Sequence, residues 1–372
     1  MLACLNFMRL GSTLMLITCV YSLLIQSRLK IKINSTGWVY VILTITTVIT
    51  SMYWYDSFEI IKVLNYGLCY IVGYNSYLRA KDSRMHAQYS FRAMYVGCLI
   101  YVVLLIITNF NLQSIYRVLI DVWTGEYIAV TLVGVISSIV TGYSVYLFFF
   151  SSGNISKIVA VVSLLLVVAL NFKTATRTVF VLAGLIVILG YCLKLFNGGA
   201  YKKAKYLFSA VVVFALVIVA YNANFLNIQS SISGSLLLER FLHMDDASVR
   251  VDLFLDHMRN AFDYPFGGQK VRAVVGEMAH NVVQDFYDNF GIVPSIFFVV
   301  IFINIIRTSV KLALRKNDIS VEKVIILLCF TMLVQMCTEP IITGYPIFVW
   351  LLFMIDGFAN AYLYEGTNKN EI

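Results

Sequence analysis

Residues 280 and 281, His-Asn, stand where a long, charge-rich stretch gives way to an apolar run that begins near Phe286. Asn281 followed three positions later by Gln284 has the spacing of a capping box, which predicts a helix start at this point and a helix running on into the apolar segment. His280 then immediately precedes the cap. The positive end of a helix dipole disfavours imidazolium there, so the ring stays neutral at pH 7 and is able to accept a proton. A helix start also favours a bound phosphate. The plainer alternative is a histidine that satisfies a loop carbonyl.

The preceding stretch carries most of the chain's other reactive side chains. Arg240, His243, Asp245, Asp246, Arg250, Asp252, Asp256, His257, Arg259, Lys270 and Arg272 all fall there, and with His280 the loop holds three of the chain's four histidines. The spacing of Val251, Phe254, Leu255, Met258 and Phe262 predicts an amphipathic helix over 247–262. Asp246 is its expected N-cap, and Pro265, Gly267 and Gly268 end it. The Asp245–Asp246 pair is explained by capping and the dipole more simply than by a metal. Arg250 falls in the first turn of that helix, where a cation needs compensation from an anionic ligand or a neighbouring carboxylate. Arg177 opens another apolar run, and a snorkelling anchor is the ordinary reading of an arginine so placed.

These residues must be held by membrane helices. Of 372 residues, 60% are apolar and 13% charged, and the mean hydropathy is +0.82, whereas soluble domains carry about 25% charged residues. A span needs roughly 20 apolar residues, and about eleven such runs occur, near 10–26, 38–54, 60–78, 93–110, 128–150, 155–172, 178–196, 206–222, 286–306, 322–338 and 346–363. The runs are too long and evenly apolar for barrel strands. The fold expected is therefore an all-α integral membrane protein. The seven cysteines lie in or beside apolar runs without metal-ligand spacing and read as packing residues. The net charge of +8 is dispersed among short connections, which argues against nucleic acid.

Assigned to connections, 18 Lys and Arg fall on one side of the membrane and 5 on the other, leaving aside the long loop. The positive-inside rule then puts "RLKIK", "RAKDSR", "KKAK" and "KLALRK" in the cytoplasm and residues 223–285 outside. Three parts follow: an N-terminal bundle over 1–222, an extracytoplasmic catalytic loop over 223–285, and C-terminal helices over 286–372. Residues 111–127 read as an amphipathic segment at the outer interface, anchored by Tyr116 and Trp123. Glu339 falls in the tight outer turn "CTEPIITGYP", where either a cavity-lining role or an ordinary loop carboxylate accounts for it.

In order, "TATRT" (174–178), "SVR" (248–250), "YPFGG" (264–268) and "HNVVQDFYDNFGIVPSIFF" (280–298) resemble the motifs of the O-antigen polymerase and O-antigen ligase superfamily. Three positions depart from that pattern: the Gly-x-Gly turn is contracted to Gly267-Gly268, Val283 replaces an aromatic or leucine, and Pro294 replaces a glycine. The resemblance implies a fold similar to membrane glycosyltransferases of the GT-C type, without metal, nucleotide sugar or other cofactor. It implies His280, Arg250 and Arg177 as catalytic residues. Asn281, Arg240, Arg259, Arg272, Gly267 and Gly268 are the expected substrate contacts.

The activity so implied is a polymerase of the bacterial inner membrane, for O-antigen or capsule, acting on undecaprenyl-pyrophosphate-linked oligosaccharide. A flippase and a chain-length regulator are its expected partners, with membrane lipid around it. The alternatives are a ligase that sends the glycan to lipid A core and a transporter of lipid-linked sugar. A transporter is disfavoured because the charged residues gather at the outer face and no halves repeat.

Overall fold

The computed structural model describes residues 1–5, 10–26, 30–54, 60, 62–110, 118–196, 245–315 and 320–368. In chain order its helices are α1 (Gly11–Tyr21), α2 (Ser35–Trp54), α3 (Asn65–Arg79), α4 (Ser83–Thr108), α5 (Val130–Phe150), α6 (Asn154–Lys173) and α7 (Arg177–Phe196). Then follow α8 (Asp245–Ala261), α9 (Lys270–Val275), α10 (Val282–Phe290), α11 (Ile292–Leu314), α12 (Ser320–Met336), α13 (Ile341–Gly344) and α14 (Ile347–Asn368). Seven of them, α2, α4, α5, α6, α7, α11 and α14, are long and apolar enough to cross a membrane. The chain is an all-α, multi-pass membrane protein, as backbone groups in hydrocarbon require. The apolar run at 206–222, "KKAK", Tyr116 and residues 223–244, including Arg240 and His243, lie outside the described residues.

Three expected spans form shorter helices. The run at 10–26 gives the 11-residue α1 with a π-helical turn over Ser22–Gln26, the run at 60–78 gives the 15-residue α3, and the run at 322–338 gives the 17-residue α12. Both α3 and α12 are buried on nearly every face. Their polar residues are thereby kept from lipid. Gly73 of α3 and Gly357 of α14 allow a close crossing, since a Cβ on Gly73 would stand 2.2 Å from the Met354 carbonyl oxygen. Asp356, nine residues into α14, is buried and accepts a hydrogen bond from the Tyr40 hydroxyl at 2.9 Å and another from Asn360, so this carboxylate ties α2 to α14.

Of the segment 111–127, residues 118–127 are described. Val118–Ile120 and Tyr127–Ala129 form an antiparallel hairpin in the register Val118↔Ala129, Leu119↔Ile128, Ile120↔Tyr127. Trp123 turns inward and donates to the Leu5 carbonyl at 3.3 Å. All seven cysteines are free; six are buried or half-buried, while Cys337 is exposed.

Connections gather at two ends. At one, Trp54 reaches the Phe266 carbonyl, Lys173 donates to the Asn109 and Phe110 carbonyls, Thr131 donates to Glu339, and Asp285 meets Ile342 and Thr343. This is the loop end. At the other, Lys32 pairs through its backbone with Asn75, and Arg315 lies over the ring of Tyr362, which in turn meets Tyr77. Lys30 and Lys32, "RAKDSR" (79–84) and residues 311–315 therefore flank one end, opposite the loop.

Candidate active site

The site is organised by α10. Val282, Phe286 and Phe290 recur at a spacing of four and are buried. Phe286 stacks on Phe298 of α11 at 4.3 Å between ring centroids, and Tyr66 meets it edge-on. This anchors the short helix on the aromatic core and fixes its first residues. Asn281 is the N-cap, with φ −148° and ψ 150°, and its side-chain oxygen accepts from the Gln284 N–H at 2.9 Å. The return contact differs from the usual box, because Gln284 Oε1 accepts from the Asn281 side-chain amide at 2.5 Å. Gln284 Nε2 is thereby turned outward and donates to the Phe254 carbonyl of α8 at 2.9 Å.

Helix α10 does not run on into the membrane. Gly291, at φ +83°, breaks it, and α11 begins at Ile292, six residues beyond Phe286. The "YPFGG" turn packs into this break. Ile292 donates to the Pro265 carbonyl at 2.9 Å, Gly268 to Asn289 at 3.1 Å and Gln269 to Asp288 at 2.7 Å. Gly267 has φ +75°, and a Cβ there would stand 2.6 Å from the Gly291 nitrogen. A Cβ on Gly268 would strike the Trp54 ring. The two glycines thus hold the loop against α10 and α11, and their N–H groups are taken by the chain's own carbonyls, Tyr264 and Asn289.

Helix α8 is described over Asp245–Ala261, so Asp246 lies within it rather than at its cap and Arg250 stands more than a turn into the helix. The dipole penalty expected for a first-turn cation is correspondingly weaker. The buried face of α8 is also not the expected one. Leu253 and His257 are buried, with Arg250 half-buried one turn before Leu253. His257 Nε2 lies 3.0 Å from the Glu277 carbonyl oxygen and donates to it.

This packing brings Arg250, His257, Glu277 and His280 together. Burial first, and then the Arg250 charge, pull the His280 imidazole below its ordinary pKa, with Glu277 opposing them. The neutral ring expected from a dipole argument is therefore favoured by desolvation and a guanidinium. His280 Nδ1 is buried and has no hydrogen-bond partner among the described residues, an arrangement that costs about 1–3 kcal/mol until a ligand satisfies it.

Arg272 and Asp288 extend the cluster. Asp288 accepts from the Arg272 N–H at 3.1 Å, and burial raises its carboxyl while His257 and Arg272 oppose the shift. Asp285, one turn further into α10 than Asn281, accepts from Ile342 and Thr343 N–H groups at 2.6 and 3.1 Å and from the Thr343 hydroxyl. Burial pushes it up to about 6 despite these donors. Arg259 is exposed and pairs with Asp256 at 3.1 Å, away from the buried face. Arg177 opens α7 at the loop end, presented by a tight turn in which Ala175 has φ +51° and the Thr174 and Thr176 hydroxyls lie 2.7 Å apart.

The chain matches no protein-family model and no curated protein to which it was compared. Sequence reasoning noted His257 but gave it no role, and did not single out Glu277, Asp285 or Asp288. His257 had a signal, since positions 250, 253 and 257 share one helical face. Asp285 had none, because its partners lie 57 and 58 residues away.

Beyond the far end of α10, about 13 Å from its start at 1.5 Å per residue, a cavity of ≈ 240 Å³ is lined by Lys62, Tyr66, Gln269, Asn289, Thr343 and Trp350, among others. The Trp350 indole nitrogen is buried without a hydrogen-bond partner among the described residues. Amides, a hydroxyl and aromatic faces suit a hydroxylated ring. Among the described residues, no group of His, Cys, Asp and Glu side chains could hold a metal ion.

Proposed function

We propose that this protein is a polymerase of lipid-linked oligosaccharide repeat units, moving a growing glycan from its polyprenyl pyrophosphate to the next lipid-linked unit on the extracytoplasmic face of the bacterial inner membrane. The observation that carries the reading is the buried Nδ1 of His280, which has no partner among the described residues, in a ring that burial and the Arg250 charge keep neutral. In the reaction the acceptor hydroxyl gives its proton to His280 as its oxygen bonds to the anomeric carbon. The bond from that carbon to the pyrophosphate oxygen breaks, and the electron pair leaves with the phosphate. Guanidinium groups stabilise the departing charge through paired N–H donors, which assigns that role to Arg250 and Arg177. A positioned base contributes typically 10² to 10⁴ in rate. The cavity at the far end of α10 has the size and lining for a sugar of the acceptor.

The test is chain length. With the purified protein in nanodiscs and lipid-linked repeat units from the native host, the wild type gives a ladder on a gel, whereas His280→Ala and Arg250→Lys give the single unit. Arg177→Lys behaves as Arg250→Lys. Transfer of a single repeat unit onto added lipid A core, with no ladder, assigns the protein as a ligase. A full ladder from His280→Ala removes the catalytic assignment.

A further inference from the structure

We infer that α8 is a membrane-surface helix, seated in the outer-leaflet headgroup and acyl boundary by the face opposite its packing face. Val251, Phe254, Leu255 and Met258 are between 42% and 58% exposed, and Phe262 and Phe266 are 74% and 70% exposed. At 100° per residue these α8 side chains occupy one arc about 100° wide. Asp252 and Arg259 form a separate polar, exposed arc, while Leu253 and His257 form the buried one. A helix with three such faces has a place for protein, water and lipid together.

The occupant is lipid because the apolar arc continues the membrane-facing surface of the spans. Phe266 is held beside the end of α2 by the bond from Trp54 to its carbonyl, and the Pro265 carbonyl holds the same turn to Ile292 at the start of α11. The last turns of α2 expose Met52 and Tyr53, and the first turns of α11 expose Val293 and Ile296, which begin an exposed apolar stripe running on through Val300 and Ile303. Phe262 and Phe266 therefore join two exposed stripes of spanning helices to the apolar arc of α8. Exposed apolar patches of this extent are uncommon on surfaces that face water. Arg250 lies at the border between the apolar and the buried arcs, one turn before Phe254. Resting on the reading above, this placement sets its guanidinium at the depth of a lipid-linked phosphate.

Spin labels placed singly at positions 251, 255 and 258, and at 252 and 259, in a cysteine-free, full-length protein in phosphatidylcholine nanodiscs test the seat. Collision with oxygen, which partitions into lipid, is compared with collision with an aqueous nickel chelate; labels at Ile303 and Thr124 calibrate lipid and water. Oxygen should dominate at 251, 255 and 258, and nickel at 252 and 259. Nickel dominance at all five positions would place the helix in water, ready for a protein partner, and overturn the inference. Low access to both reagents at 251, 255 and 258 would mean that protein covers the arc, and would overturn it equally. Met258→Asp should shift the label at 255 from oxygen to nickel. None of these readings depends on glycan transfer, so failure of the polymerase assignment leaves them unchanged.

Discussion

Gln284 binds Phe254. Its side-chain amide donates to the Phe254 carbonyl at 2.9 Å while its backbone N–H is held by Asn281, so one residue both closes the cap of α10 and clamps α8 onto it. Gln284→Leu should preserve the helix but release the clamp, lowering glycan transfer more than thermal stability. Asn281→Ala should do the reverse, costing about 1 kcal/mol of stability through the lost cap. Thermal unfolding in detergent, read beside chain length, separates the two.

The Arg250 charge is one of three causes that hold His280 neutral, after burial and before His257. Arg250→Gln removes a like charge, so the imidazole should hold its proton to higher pH, approaching the ordinary value of about 6.5. The acid limb of residual activity should move upward in pH. Histidine-resolved NMR of His280, or its rate of acylation against pH, checks the shift without activity. An unchanged titration would mean the two groups do not interact in the membrane.

Asp285 titrates in the opposite sense. Its carboxyl is raised from 3.8 to about 6 on folding, so the folded state holds the proton more tightly than the unfolded chain. The resulting stabilisation is complete below about pH 3.8 and is lost as pH rises through about 6. Relative to wild type, Asp285→Asn should flatten the thermal stability profile over that interval. Asp285→Ala instead leaves the Ile342 and Thr343 N–H groups unpaired, at roughly 1–3 kcal/mol each, and should destabilise at every pH.

Gly291→Ala should prevent folding. The position has φ +83°, and a Cβ would stand 2.4 Å from the Pro265 carbonyl oxygen, a backbone atom with no room to withdraw. Gly184→Ala is the control, because nothing lies within 4 Å of a Cβ there. Monodisperse yield after extraction should fall for the first and hold for the second.

Orientation is tested with cysteines at Thr124, in the hairpin turn at the loop end, and at Lys81, among the basic connections. Both positions are exposed. In a background without native cysteines, an impermeant maleimide should label position 124 and spare position 81 in intact spheroplasts. The inverse pattern would put the loop end in the cytoplasm and exclude an extracytoplasmic reaction.

Local features were legible in the sequence. Seven long apolar runs, the Asn281 cap with Gln284, a helix over 247–262, observed as Asp245–Ala261, and the turn at Pro265 follow from composition and spacing, because each depends on neighbours within a few residues. The shortness of α1, α3 and α12 was not legible, since hydropathy does not distinguish a core helix from a span. The fate of the apolar face of α8 was not legible either. In a membrane protein an apolar stripe has two sinks, protein and lipid, and periodicity cannot choose between them. Tertiary structure chose by packing Leu253 and His257 inward, and that packing brought Arg250 to His280. The contacts of Asp285 with Ile342 and Thr343 likewise join segments far apart in the chain. Such contacts exist only once helices assemble, because desolvated carboxylates and imidazoles take their properties from groups that the fold, and not the local sequence, places beside them.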